Sequence, residues 1–116
     1  MKRILPIFTL LLCPLSSCVA RDSVCDIANN HAKFDHQDIA LDGKVSALKE
    51  TTSRAGNDYT IFKLEDGECF LDVFTWGHPP IANGNTVQVQ GVFEVEHHQG
   101  KYTFYNEMQA TKVIPK

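Results

Sequence analysis

From Ile39 onward, apolar and polar residues tend to alternate, which is the pattern of β-strands that bury one face. The clearest case is Thr86 to Glu96, where one face carries valine, glycine or phenylalanine at every second position. Five such segments predict five strands: Ile39 to Ala47, Tyr59 to Leu64, Cys69 to Trp76, Thr86 to Glu96, and Lys101 to Ala110 with an extension to Ile114.

Turn-forming residues separate these predicted strands. Asp66-Gly67 suits the tight turn of a hairpin, because this pair readily adopts positive φ angles. Pro79-Pro80 ends the third strand, since proline cannot donate to a strand ladder. Asn83-Gly84 marks the next turn, and Gly43 predicts a bulge within the first strand.

A different spacing precedes the strands. Val24, Ile27, Ala28 and His31 recur at helical intervals, which predicts one or two short helical turns before Phe34. Between the third and fourth strands, segment 77–85 is rich in Pro and Gly and leaves little room for a helix. The pattern therefore predicts an all-β protein, for which a small five-stranded barrel is the natural closed arrangement.

The N-terminus has the order of an export signal. Met1-Lys2-Arg3 precedes an apolar run from Ile4 to Leu12 and then small residues, and this run is too short to span a bilayer. A buried N-terminal strand or helix would not need that order. Leu15-Ser16-Ser17-Cys18 resembles the bacterial lipobox, which implies lipidation at Cys18. Cleavage after Ala20 by ordinary signal peptidase is the alternative, and it would release a soluble protein.

Either cleavage leaves Cys25 and Cys69 as the thiol pair of the mature chain. In an oxidising periplasm, an even pair in a small domain most often forms one disulfide. Its loop closure would contribute about 3 to 4 kcal/mol by chain-entropy reasoning. A redox or metal site would call for a Cys-x-x-Cys motif or grouped His and Cys ligands, and this pair offers neither.

The charge balance limits the class of ligand. The chain carries 11 basic and 14 acidic residues, a formal net charge of −3, and removal of Lys2 and Arg3 with a leader changes that charge to −5. A strongly basic nucleic-acid-binding surface is thereby excluded. Any site for an anion has to be a local patch on an acidic protein.

Four segments resemble successive strands of an OB-fold domain of the tRNA-anticodon-binding type: Leu41 to Val45, Tyr59 to Gly67, Asn83 to Gly91 and Tyr102 to Ala110. The chain is also similar to small bacterial lipoproteins regarded as nucleic-acid binders. The resemblance spans Ile39 to Val113 and implies a five-stranded OB-fold-like Greek-key barrel behind a short helical lead-in. The expected organisation is a lipoprotein signal peptide in 1–17, an anchor and lead-in in 18–37, and one OB-fold domain in 38–116.

The resemblance also implies where a ligand would bind. Ligands of related folds lie across the second and third strands, between the loop after the first strand and the hairpin joining the last two. The candidate ligand-binding residues on those elements are Arg54, Tyr59, Lys63, Trp76, His97, His98, Lys101 and Tyr102. Aromatic rings there could stack bases while Arg and Lys meet phosphates. The alternative is that the rings pack at the barrel rim and the basic residues are merely solvated.

Metal binding and catalysis find little support in the sequence. His97 and His98 would point to opposite faces of a strand, so we predict no metal site and no cofactor. Motifs of the Gly-x-Ser-x-Gly, HExxH and phosphate-loop types are missing. Asn106 is expected to bond to nearby backbone and Glu107 to face water. The sequence therefore predicts a protein that is not an enzyme.

Together these features predict an exported, lipid-anchored OB-fold binding module on the periplasmic face of a bacterial membrane. Val19 occupies the position where inner-membrane retention, by resemblance to enteric lipoproteins, usually requires aspartate, so the outer membrane is favoured. Weak binding of single-stranded nucleic acid is one expected activity. An envelope protein, peptide or glycan is the alternative ligand, and phosphodiester-acting enzymes are a more distant class. The oligomeric state stays open.

Overall fold

The computed structural model describes residues 20–21 and 23–116. The leader expected in residues 1–17 and the expected lipidation site Cys18 lie outside the described residues. Within the described part, neither helix is long and apolar enough to cross a membrane.

The described chain folds into strands and two short helices. The strands are β1 (Ala20–Arg21), β2 (Asp38–Thr52), β3 (Asp58–Asp66), β4 (Cys69–Trp76), β5 (Thr86–Gln99) and β6 (Tyr102–Pro115). The helices are α1 (Val24–Ala28) and α2 (His31–Phe34). The third predicted strand has the same bounds as β4, whereas the other four differ from the observed strands at one or both ends. The sequence did not predict β1.

Five strands close into a barrel in the order β2, β3, β4, β6, β5 and back to β2. The neighbours are antiparallel except for β4 and β6, which run parallel. Closure depends on the length of β2, because its first half pairs with β5 and its second half with β3. Lys44 takes part in both ladders, opposite Thr86 on β5 and Glu65 on β3.

The barrel interior is filled by alternate residues of the strands, as the sequence pattern predicts. On β3, Phe62 and Leu64 are buried, and on β5, Val87, Val89 and Phe93 are fully buried. Burying a large apolar side chain completely contributes about 1.5–3 kcal/mol, so these positions are a main source of stability. The two-residue alternation predicted for β3 and β5 is confirmed.

Gly43 has a packing role instead of the predicted bulge. It pairs regularly with Val87, and a Cβ at this position would lie 2.8 Å from both the Glu65 carbonyl oxygen and Leu64 Cγ. The glycine therefore permits the close approach of β3. The irregularity in β2 lies further along, between Ser46 and Lys49, so the predicted bulge position was wrong.

The helical lead-in packs onto the barrel and is covalently attached to it. Ser23 Oγ accepts a hydrogen bond from the backbone N–H of Asp26, and the Asp26 carboxylate accepts one from the backbone N–H of Ser23, which completes a capping box. Val24 and Ile27 of α1 are fully buried in the core. Cys25 forms a disulfide with Cys69 at the start of β4, as predicted from the sequence.

Candidate functional site

A groove of about 920 Å³ lies along the outer face of β3 and β4. It is also lined by the loop between β2 and β3 and by the turn between β5 and β6. Its volume falls within the about 300–1,000 Å³ range of ligand pockets. These are the elements on which the sequence resemblance implied a ligand site.

Three aromatic rings form a connected cluster in the groove. Phe74 and Trp76 are two residues apart on β4 and therefore share a face, and Tyr59 lies opposite Trp76 on β3. The ring centroids of Tyr59 and Phe74 are 5.3 Å apart, and those of Phe74 and Trp76 are 5.0 Å apart. Phe74 is buried, whereas Trp76 leaves 51% of its surface exposed. The cluster therefore presents an exposed indole that is held by neighbouring rings.

Strand β6 adds two more aromatic side chains to the groove. Tyr102 and Phe104 are two residues apart on β6, and 56% and 38% of their surfaces are exposed. Exposed rings that gather in one concave surface are typical of a binding site, whereas apolar residues scattered singly over a surface are common and need no function.

Two basic residues lie in the connections that line the groove with the aromatic rings. Arg54 lies in the loop between β2 and β3, and Lys101 lies in the turn between β5 and β6. Within residues 23–116, neither forms an ion pair, whereas Lys101 lies 5.8 Å from the centroid of the Tyr102 ring. Their charges are therefore available to an anionic ligand.

A row of charged side chains crosses four strands beside the aromatic cluster. On β3 and β4, Lys63 is opposite Asp72. Asp72 is adjacent to Glu107 on β6, which is itself opposite Glu94 on β5. Cross-strand neighbours share a face of the sheet. We call Lys63, Asp72, Glu107 and Glu94 the charged row.

At each end of the charged row, a carboxylate is paired with a basic group. Lys63 Nζ is 3.1 Å from Asp72 Oδ1, and the Lys63 ammonium lies 4.2 Å from the centroid of the Phe70 ring. At the other end, His97 Nδ1 is 2.5 Å from Glu94 Oε1. Glu107, which lies between Asp72 and Glu94, accepts a hydrogen bond of 2.8 Å from the Gln109 amide.

Burial raises the pKa of the Glu107 carboxyl above its ordinary value. The hydrogen bond from Gln109 and the charge of His97 lower this pKa. The negative charges of Asp72 and Glu94 raise it. Glu107 is 7% exposed and lines the groove. The prediction that it faces water was therefore wrong.

The groove brings together most of the candidate residues from the sequence. Six of the eight line it: Arg54, Tyr59, Lys63, Trp76, Lys101 and Tyr102. His97 and His98 lie outside its lining. They are neighbours on β5, and His97 interacts with Glu94 and Gln99 whereas His98 interacts with Glu96 and Thr103.

The groove residues that sequence reasoning missed include Phe74, Phe104, Asp72 and Glu107. Phe74 could have been found, because it shares a strand face with Trp76. Glu107 could not, since its burial depends on the packing of β4 and β5 against β6. In the part of the chain that the structure describes, no group of three or more His, Cys, Asp or Glu residues is arranged to hold a metal ion.

Comparison of folds gives a clear result where comparison of sequences does not. No protein-family model matches the chain, and no curated protein matches it by sequence. A Leishmania major Friedlin protein assigned as an aspartyl-tRNA synthetase is similar, with a TM-score of 0.63 and 12% identity over 85% of this chain and 21% of that one. The structure of yeast Stn1 and Ten1 is also similar, with a TM-score of 0.65 and 12% identity over 86% of this chain and 64% of that one.

The small single-stranded DNA-binding protein from Streptomyces coelicolor is also similar, with a TM-score of 0.51 and 16% identity over 71% of this chain and 94% of that one. The chain has the OB-fold. The predicted fold class is therefore confirmed. At these identities the likeness extends to the fold alone, and the chain spans only 21% and 64% of the synthetase and the Stn1 and Ten1 structure.

Proposed function

We propose that the chain is an exported, lipid-anchored OB-fold module that binds short single-stranded nucleic acid in its groove and catalyses no reaction. The observation that carries the proposal is the aromatic cluster of Tyr59, Phe74 and Trp76 in one groove with two basic groups that have no ion pair among the described residues, Arg54 and Lys101. A ring on which a base stacks contributes about 1–3 kcal/mol, whichever base it is. The basic groups of the same groove suit the phosphates of the bound strand.

The charge of the groove supports weak rather than strong binding. Three basic residues, Arg54, Lys63 and Lys101, line it together with two acidic ones, Asp72 and Glu107. Lys63 is already paired with Asp72. Phosphate contacts are therefore few, and the acidic remainder of the protein repels a polyanion. We expect binding that tolerates many sequences and is lost near physiological salt.

The anchor and the exported location rest on the N-terminal sequence. Leu15-Ser16-Ser17-Cys18 supports lipidation at Cys18, and Val19 favours the outer membrane. The Cys25–Cys69 disulfide supports the same location, because such bonds persist in oxidising compartments. The mature protein would thus hold its groove on the periplasmic face of the membrane.

A peptide or glycan is a second candidate ligand, favoured by the acidic side of the groove. Asp72 and Glu107 accept hydrogen bonds, and sugar hydroxyls or peptide amides would donate them. Such a ligand would also pack against the exposed rings. Its affinity would change little with salt, whereas affinity for a nucleic acid falls steeply.

Fluorescence anisotropy with a labelled single-stranded DNA of about 12 nucleotides tests the proposal at salt concentrations from about 20 to about 200 mM. We expect binding at low salt that Trp76→Ala weakens by about tenfold and that Trp76→Ala combined with Lys63→Ala removes. Tyr105→Ala is the matched control, because Tyr105 is an exposed aromatic residue that lies outside the groove lining. Equal losses in the two aromatic variants would contradict the proposal, and cleavage of the probe would contradict its non-catalytic part.

A further inference from the structure

Glu107 is the one carboxylate of the charged row without a basic partner within ion-pair distance in residues 23–116. Asp72 has Lys63, and Glu94 has His97. Glu107 lies between these two carboxylates in the strand register and is buried at the surface of the groove. Its hydrogen-bond donor is the neutral amide of Gln109.

A bound nucleic acid would act on this carboxyl in two ways. Its phosphates would bring further negative charge close to Glu107, and its bases would remove the remaining water from the groove. Both changes disfavour the ionised form of a carboxyl group. The nucleic acid therefore binds more tightly when the Glu107 carboxyl is neutral.

We propose that single-stranded nucleic acid and one proton enter the groove together, and that the Glu107 carboxylate takes up the proton from solvent. This inference rests on the proposed function and adds a regulation to it. By linkage, the ligand favours the protonated carboxyl and the protonated carboxyl favours the ligand to the same extent. Affinity therefore decreases as the pH rises and Glu107 ionises.

Other charged groups face Glu107 from each neighbouring strand. Asp72 on β4, next to Lys63 on β3, and Glu94 on β5 belong to the charged row, and His97 contacts Glu94. The two imidazoles near Glu94 are those of His97 and of His36, whose Nδ1 is 3.9 Å from Glu94 Oε2. Protonation of an imidazole would also strengthen anion binding, so the test has to separate His from Glu.

The first measurement is the affinity for the labelled DNA between about pH 5 and about pH 8 at constant low salt. We expect the wild-type affinity to fall about fivefold or more over this range. Glu107→Gln keeps the size and a hydrogen-bond acceptor but does not ionise, so we expect it to bind at high pH as tightly as the wild type does at low pH. Glu50→Gln removes an exposed charge outside the groove lining and is expected to keep the wild-type pH profile.

His97→Gln separates the imidazole from the carboxyl. If Glu107 takes up the proton, this variant retains most of the pH dependence, and Glu107→Gln loses it. The opposite result would overturn the inference, because it would assign the proton to the imidazole. A wild-type affinity that does not change with pH would overturn it as well.

Isothermal titration calorimetry of the wild type provides a second readout that needs no variant. Binding measured in buffers of different ionisation enthalpy is expected to show net proton uptake near neutral pH, and Glu107→Gln is expected to reduce it. Binding without proton uptake would overturn this inference alone. Lack of DNA binding at every pH would overturn the proposed function and this inference together, so the two failures are distinguishable.

Discussion

Tyr59 and Trp76 lie opposite each other on β3 and β4, and their ring centroids are 6.2 Å apart with an interplanar angle of 76°. The edge-on contact leaves half of the indole surface exposed in the groove. Trp76 is also the single tryptophan of the chain. Its fluorescence therefore reports on the groove without an added label.

We expect unlabelled single-stranded DNA to quench this tryptophan fluorescence, because a stacked base changes the surroundings of the indole. Tyr59→Ala is expected to weaken the binding about fivefold by removing a ring that holds Trp76. Tyr105→Ala, an exposed tyrosine outside the groove lining, serves as the control. Binding detected by anisotropy with unchanged tryptophan fluorescence would place the ligand elsewhere on the protein.

The disulfide is expected to make a large contribution to stability. It joins residues separated by 44 positions, and chain-entropy reasoning gives about 4 kcal/mol for a loop of this size. Cys25→Ser combined with Cys69→Ser is therefore expected to lower the free energy of unfolding in urea by about that amount. Wild-type protein unfolded under reducing conditions is the control and is expected to match the double variant. Equal stability of the oxidised wild type and the double variant would contradict this expectation.

Gly91 is expected to tolerate no side chain. A Cβ here would lie 2.1 Å from the Gln109 carbonyl oxygen and 2.7 Å from Ala110 Cα on β6. Gly91→Ala therefore forces β5 and β6 apart, and we expect a loss of about 3 kcal/mol or more in the free energy of unfolding. Gly84→Ala is the control: its φ of 93° makes alanine strained, but a Cβ meets no atom within 4 Å, so a loss of about 1 kcal/mol is expected.

Sequence alone predicted the parts of this fold that depend on local patterns. The alternation in β5 and the Asp66-Gly67 turn specify a strand and a hairpin without reference to distant residues. A small closed barrel followed from the number of such strands, whereas the OB-fold was implied by the resemblance of four segments. The role of Gly43 was predicted wrongly because it depends on a residue contact that is distant in the sequence. Its missing side chain matters because β3, which follows it in the chain by some twenty residues, packs against it.

The candidate site likewise contains residues that local sequence predicted and contacts that only the folded sheet creates. Residues chosen for their position on a strand or loop, such as Trp76 and Lys101, line the groove. His97 was chosen because it is close to the hairpin in sequence, yet it interacts with Glu94. The charged row involves three different strand pairings, and no short stretch of sequence contains that information.

Lipidation is tested by metabolic labelling with a palmitate analogue. We expect the wild type and Cys13→Ala to incorporate the label, because Cys13 lies within the leader that cleavage before Cys18 removes. Cys18→Ala is expected to incorporate none. Label in Cys18→Ala would contradict the lipobox assignment, and an unlabelled wild type cut after Ala20 would favour ordinary signal peptidase.

Glu107 gives a pH dependence of stability that is independent of any ligand. Because its pKa is raised in the folded protein, the folded state binds more protons than the unfolded state at pH values between the unfolded and the folded pKa. The contribution of Glu107 to stability therefore falls as the pH rises above 4.5, the ordinary pKa of a glutamate carboxyl, and it levels off above the folded pKa. Glu107→Gln has no such loss.

The free energy of unfolding of Glu107→Gln, minus that of the wild type, is accordingly expected to increase from about pH 4 to about pH 8. Urea unfolding at several pH values measures it, and contributions from the other carboxylates largely cancel in the difference. Glu50→Gln, which removes an exposed carboxylate, is the control, and we expect the increase for Glu107→Gln to exceed that for Glu50→Gln. A difference for Glu107→Gln that decreases with pH would mean that the ionised carboxylate is stabilised in the fold, and it would remove the physical basis for proton uptake in the groove.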